Sequence, residues 1–115
     1  MSIRWTPITS VSDIAHIQSR STEVPCLIFK HSTRCNISAI AKYRLEDDWQ
    51  KKSADIEPYY LDLLQYRDIS NQVADLFNVY HESPQVLLIS GGECVYDASH
   101  LDISVDELQE AVDNM

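Results

Sequence analysis

The sequence predicts a three-layer α/β sandwich around a mixed sheet, on three observations. Short apolar runs of strand length alternate with stretches whose apolar residues recur every three or four positions, which predicts parallel strands joined by crossover helices. Two adjacent glycines, Gly91 and Gly92, then separate two further strand-like runs, the spacing of a β-hairpin. An amphipathic segment follows the hairpin. The 115 residues contain no internal repeat, low-complexity tract or linker, so the whole chain, 1–115, reads as one domain.

Residues 3–9 suit a short opening strand. In "SVSDIAHIQSRS" the helical spacing puts Val11, Ile14, Ala15 and Ile17 on one side, with Ser10 or Ser12 as N-cap. "CLIFKH", short, apolar and preceded by Pro25, predicts a buried strand. A helix then follows Cys35 to about Lys51, with Ile37, Ile40, Ala41 and Leu45 on a shared face. "YYLDLLQY" predicts a second buried strand, ending before Arg67 and Asp68. In "ISNQVADLFNVY" the pattern returns to helix, capped by Ser70 or Asn71, with Val73, Leu76 and Phe77 inward. "SPQVLLIS" and "ECVYD" are the arms of the hairpin. "DISVDELQEAVDNM" predicts a helix that faces Val105, Leu108 and Val112 to the core, with a capping box from Ser104 to Glu107.

Composition narrows the function classes. Hydrophobic residues make up 44% and charged residues 23%, ordinary values for a globular protein. No apolar run approaches the roughly 18 residues of a membrane span, and "MSIRWTPITS" lacks the apolar stretch of a secretory signal. The cytoplasm is the expected location. Asp and Glu outnumber Lys and Arg by 18 to 9, for a net charge of -9. Binding to polyanions rests on phosphate neutralisation, so nucleic acid and anionic membranes are not expected partners. The charge is uneven, however. No acidic residue falls between Val24 and Leu45, whereas Lys30, His31, Arg34, Lys42 and Arg44 all do.

Cys35 lies inside that positive segment, where a strand stops and a helix begins. Unpaired backbone amides and the positive end of the helix dipole converge at such a point and favour a thiolate over a thiol. The dipole itself supplies about 0.3–1 kcal/mol. Ser38 stands where a second thiol would release a mixed disulfide in a CxxC site, and a hydroxyl forms no disulfide. Cys35 would therefore attack a disulfide and wait for an external thiol, a monothiol mechanism. Cys26 and Cys94 sit in apolar, strand-like runs and read as packing residues. His31 and Cys35 lie four residues apart, but two ligands across a strand–helix junction fall short of a closed zinc site, and no metal is expected. Pro84 heads a buried strand, a position where no N–H is needed.

The series "LIFKHSTRCNIS", "SPQVLLISGGECVYD" and "SVDELQEAV" resembles the thioredoxin fold. More narrowly, "FKHSTRCNIS", "YYLDLLQYRDISN", "HESPQVLLI" and "ASHLDIS" resemble the YtxJ-like family, monothiol thioredoxin-like proteins of the bacillithiol system. The resemblance implies a cytoplasmic bacterial protein that removes bacillithiol from S-thiolated client proteins. Such a protein takes the small thiol onto its own cysteine, with no resident cofactor and bacillithiol as co-substrate. It maps the nucleophile to Cys35, the serine to Ser38, and a cis-proline loop that presents backbone to substrate to Ser83 and Pro84. The residue after the cysteine, usually proline in the family, is here Asn36, which keeps an N–H at the helix start. Bacillithiol carries a malate group, so Lys30, Arg34 and Lys42 are candidates for holding its carboxylates. His100 is placed by the resemblance near the proline loop, a candidate for contacting substrate or tuning the thiolate; His81 has a similar standing, and His16 carries no assigned role. The alternative reading is a non-catalytic thioredoxin-fold module, an iron–sulfur cluster carrier or an adaptor.

Overall fold

The computed structural model describes residues 3–51 and 55–115. Its elements are β1 (Thr6–Pro7), α1 (Val11–Arg20), β2 (Cys26–His31), α2 (Asn36–Lys51), β3 (Glu57–Asp62), α3 (Arg67–Phe77), β4 (Gln85–Ser90), β5 (Glu93–Ser99), a 3-10 turn (His100–Asp102) and α4 (Val105–Asp113). The five strands form one sheet in the order β1-β3-β2-β4-β5. β1 and β2 run parallel to β3, while β4 pairs antiparallel with both β2 and β5. Ile14 and Ile17 of α1 and Ile69, Val73 and Phe77 of α3 pack against one face of the sheet. Ala41 and Leu45 of α2 and Val105 and Leu108 of α4 pack against the other. The layers, the mixed sheet and the hairpin are those expected from the sequence.

Several local expectations shift, each for a visible reason. The opening strand is shorter than expected, Thr6–Pro7, with one further bond from Ile8 N–H to Tyr60 O at 2.8 Å. β3 stops at Asp62, whose carboxylate accepts hydrogen bonds from the amides of Leu64 and Gln65 and turns the chain. α3 therefore begins at Arg67, and Ser70 is a buried residue within the helix rather than its cap. Leu76 faces outward, as do Val11 and Ala15 of α1. On α2 the inward face is Ser38, Ala41 and Leu45, leaving Ile37 and Ile40 about half exposed, at 45% and 50%. Hydrogen bonds that hold Ser38 beneath the strand end set this rotation.

At the hairpin, Gly91 and Gly92 adopt φ of +61° and +82°, values that glycine reaches without steric cost. The buried Ser21, just after α1, anchors this turn: its Oγ accepts from Gly92 N–H at 2.8 Å and donates to Gln18 O at 2.7 Å. A bulge between Leu88 and Ile89 breaks the alternation of β5. Cys94 consequently packs with the α1/α3 layer, and Tyr96, two residues on, with the α2/α4 layer. Ser104 caps α4, accepting from Glu107 N–H at 3.1 Å.

Candidate active site

β2 ends at His31, and the short loop Ser32–Cys35 delivers the chain to α2. The Cys35 amide donates to Ser32 O at 3.2 Å, closing the loop. The Cys35 carbonyl accepts from Ala39 N–H at 3.0 Å, the first bond of the helix, so Cys35 occupies the N-cap position. Its side chain is half exposed, and the first turn of α2 carries no acidic residue to oppose a negative charge there. Arg34 and Asn36 flank it and are exposed.

The register brings the proline loop to the same end of the sheet. Lys30 pairs with Gln85, so Pro84 lies beside the end of β2. The Ser83–Pro84 peptide bond is cis, and Pro84 O accepts from His100 N–H at 2.9 Å. His100 adopts a left-handed backbone, φ +58°, and its Nε2 lies 3.2 Å from Glu82 Oε1. Gln85 Nε2 donates to Tyr80 O at 2.9 Å and steadies the approach to the proline. Cys35, Arg34, Asn36, Ser83, Pro84 and His100 thus share one end of the molecule.

Ser38 and Lys30 are not surface groups. Ser38 is fully buried. Its Oγ accepts from Ser32 N–H at 3.0 Å and lies 2.6 Å from His31 Nδ1. The hydroxyl is thereby built into the support of the active-site loop. His31 is itself buried against the rings of Phe29 and Tyr60, at centroid distances of 5.6 and 5.5 Å. Burial, and then the nearby Lys42 ammonium, hold its imidazole below the ordinary histidine range.

Lys30 points into the opposite layer, because successive strand residues alternate between faces. It is fully buried, with Nζ donating to Ser70 O at 3.1 Å and lying 3.2 Å from His81 Nδ1. Burial pulls its pKa down to about 8. The expectation that Lys30 contacts substrate carboxylates is corrected: no solvent reaches its ammonium. His81 has a role the sequence did not reveal, as the partner of that lysine in the loop before the proline. Lys42 pairs with Glu46 at 2.8 Å, and Glu46 also accepts from Trp5 Nε1 at 2.9 Å. Among the basic side chains of the segment, Arg34 and Arg44 are the exposed ones.

The other two thiols belong to the far end of the sheet. Cys26 begins β2, five residues from His31, a separation of about 16 Å along an extended strand. It is fully buried and donates to Val24 O at 3.4 Å. Cys94 lies at that same end, paired with Ile89, which in turn pairs with Cys26. Burial pushes both thiols up to about 11. All three cysteines are free, and neither of these two reaches Cys35. Among the described residues, no three His, Cys, Asp or Glu side chains gather to hold a metal ion.

Comparison with known proteins agrees with this geometry. The chain is similar to a solved structure described as a provisionally assigned oxidoreductase with a thioredoxin fold. The two share 32% identity over 92% of this chain and 91% of that one, with a TM-score of 0.80. It also superposes on thioredoxin h from Nicotiana alata, at 18% identity, TM-score 0.72, and 99% and 94% coverage. Spinach chloroplast thioredoxin f gives 11% identity, TM-score 0.72, and 98% and 94% coverage. At these lower identities the likeness shows the fold alone. The family described as monothiol bacilliredoxin BrxC matches residues 6–108, nearly the whole chain. With a thioredoxin fold and a half-exposed thiol at a helix start, this chain belongs to the monothiol bacilliredoxin family, thiol oxidoreductases.

Proposed function

We propose that this protein removes bacillithiol from S-thiolated client proteins in a bacterial cytoplasm. The Cys35 thiolate attacks the bacillithiol sulfur of the client's mixed disulfide. That S–S bond breaks, the client thiolate leaves and takes a proton from solvent, and a Cys35–bacillithiol disulfide forms. A second small thiol, as its thiolate, then attacks this adduct, regenerating the Cys35 thiolate and carrying away a disulfide of the two small thiols. The client gains two electrons and the small-thiol pair loses two.

The observation that carries the reading is the separation of the thiols. One is half exposed at a helix N-cap; of the other two, at the opposite end of the sheet, Cys26 is buried, Cys94 is half-buried, and desolvation raises the pKa of both. With no internal sulfur to resolve it, an adduct on Cys35 persists until an external thiol arrives. The exposed Arg34 is the basic side chain best placed to meet the malate carboxylates, Asn36 keeps an N–H at the helix start, and Ser83, Pro84 and His100, at the same end of the sheet as Cys35, are the candidates for contacting the client.

The test is mass spectrometry after incubation with a bacillithiolated client. A single adduct on Cys35, absent in Cys35→Ser, is expected, together with release of the client thiol. An internal Cys35–Cys94 or Cys35–Cys26 bridge would overturn the monothiol mechanism. Arg34→Ala should slow adduct formation several-fold at low salt and less at high salt. An unchanged rate at low salt removes Arg34 from the binding role.

A further inference from the structure

The loop between α3 and β4 leads into Pro84, yet none of its residues 78–83 is buried. Val79 alone of them packs against the core, so bonds to neighbouring elements fix the rest of its path. They come in sequence. Val79 N–H donates to Ala74 O at 3.1 Å as the chain leaves α3. Tyr80 O accepts from Gln85 Nε2 at 2.9 Å. His81 Nδ1 lies 3.2 Å from Lys30 Nζ, and Glu82 Oε1 lies 3.2 Å from His100 Nε2. Of these four anchors, the one at His81 ties the loop to β2, the strand that leads to Cys35. We infer that Lys30 is a positioning residue: through the imidazole of His81 it holds the proline loop against β2 in the shape that meets the client, and it lets go when that imidazole takes up a proton. This deepens the proposed function and rests on the part of it in which the loop contacts the client.

The lysine is an expensive way to fill its position. Lys30 is fully buried, on the sheet face where Cys26 and Ile28 of the same strand serve as packing residues. An apolar side chain would suit that layer, whereas a buried ammonium carries a desolvation cost. What the lysine adds is a set of donors at its end. Nζ gives one hydrogen to Ser70 O at 3.1 Å and another to His81 Nδ1. An ammonium has no lone pair, so the second bond uses that of Nδ1, and the imidazole carries its hydrogen on Nε2.

A second proton on the ring turns Nδ1 into a donor and sets two cations against each other. The groups around the imidazole are Lys30 of β2, Arg67 and Ser70 of α3, and Glu82 of its own loop. Lys30 and Arg67 oppose the proton. Glu82 favours it, but its carboxylate also meets His100 of the 3-10 turn. Burial, and then Lys30, hold the ring below the ordinary histidine range. At neutral pH the clamp is closed, and acid opens it.

The experiment compares the full-length wild type with Lys30→Met and with His81→Asn, whose side-chain oxygen accepts from Lys30 and takes no proton. Nitrogen-15 NMR reads the His81 ring across pH 4–8. Transfer of bacillithiol from a bacillithiolated cysteine peptide to Cys35 is read by mass. Each transfer rate is divided by the iodoacetamide labelling rate of Cys35 in the same protein at the same pH. The neutral wild-type ring should show its hydrogen on Nε2, and its midpoint should move up in Lys30→Met. At pH 7 the normalised transfer rate should fall about tenfold in Lys30→Met, the equivalent of one hydrogen bond to a charged group, and stay at the wild-type level in His81→Asn. As pH falls through the His81 midpoint, the rate of His81→Asn relative to wild type should rise.

Equal His81 midpoints in wild type and Lys30→Met would overturn the clamp without reference to any client. An unchanged normalised transfer rate in Lys30→Met would overturn the positioning role while the proposed reaction stood. A flat ratio of His81→Asn to wild type across the midpoint would overturn the release by protonation. Absence of any transfer to Cys35 in wild type would overturn the proposed function itself, and the positioning role with it.

Discussion

The two ends of the sheet are built from the same parts and do different things. Each has cysteine, and each is held together by one buried serine. At the far end Ser21 ties the hairpin to α1, Cys26 lies in the core, and the half-buried Cys94 packs against that core. At the near end Ser38 ties the active-site loop to His31, and Cys35 stands at the rim. The chemistry of a thiol is decided by its surroundings. Burial holds the far pair in the protonated form, with values near 11. The N-cap position leaves Cys35 facing solvent and the amides of an emerging helix.

The contrast is best challenged through reactivity. A thiol with a pKa of about 11 is ionised in about one molecule in a thousand at pH 8, so Cys26 and Cys94 should label with iodoacetamide at least 100-fold more slowly than Cys35 in the folded protein. In denaturant the three rates should converge. The double variant Cys26→Ser/Cys94→Ser should keep full thiol exchange. Comparable labelling of all three thiols in the native protein would erase the distinction between the ends.

A smaller effect concerns stability at the near end. The folded pKa of Lys30, about 8, lies below its ordinary 10.5. Between those values the unfolded chain binds a proton that the folded chain does not, so this residue makes stability rise with pH across that window. Below pH 8 the fold carries a buried cation. Lys30→Met should therefore stabilise the protein at pH 7, by about 1–3 kcal/mol, with the gain fading between pH 8 and 10.5. Chemical denaturation at pH 7 and pH 10 measures it. A loss of stability at pH 7 would mean that the bonds to Ser70 and His81 outweigh the desolvation of the charge.

The two serines give the smallest and sharpest comparison. Ser38→Ala leaves the buried Ser32 amide, and Ser21→Ala the half-buried Gly92 amide, without its acceptor, and each should cost about 1–3 kcal/mol. Only Ser38→Ala should also change the labelling rate of Cys35. If Ser21→Ala changed it equally, the two ends would be coupled through the sheet.

The architecture was legible in the sequence because each element carries a strong local signal. "CLIFKH" matches β2 residue for residue, and Gly91-Gly92 is the turn. Cys35 was legible for the same reason, as a thiol at a strand–helix junction. The supporting layer was not. "KH" reads as positive charge until the strand's two-residue period sends Lys30 into one layer and His31 into the other. That alternation was available in the sequence. The pairing of Lys30 with His81, fifty-one residues away, was not, because it depends on tertiary packing. Spacing alone puts Ile37 and Ile40 on the inward face of α2, but Ser38 is drawn inside by two hydrogen bonds, and the isoleucines rotate out.

Position 38 stands one atom away from a different economy of electrons. Ser38→Cys would set a sulfur where Oγ now lies, out of contact with solvent, in the helix turn that follows Cys35. Such a sulfur could attack no disulfide except the one carried by its neighbour. Under the proposed mechanism, turnover would then cease to depend on the concentration of small thiol in solution and would require a partner able to reduce a protein disulfide. In the proposed mechanism, then, the choice of hydroxyl over thiol at one buried position sets which reductant this scaffold answers to.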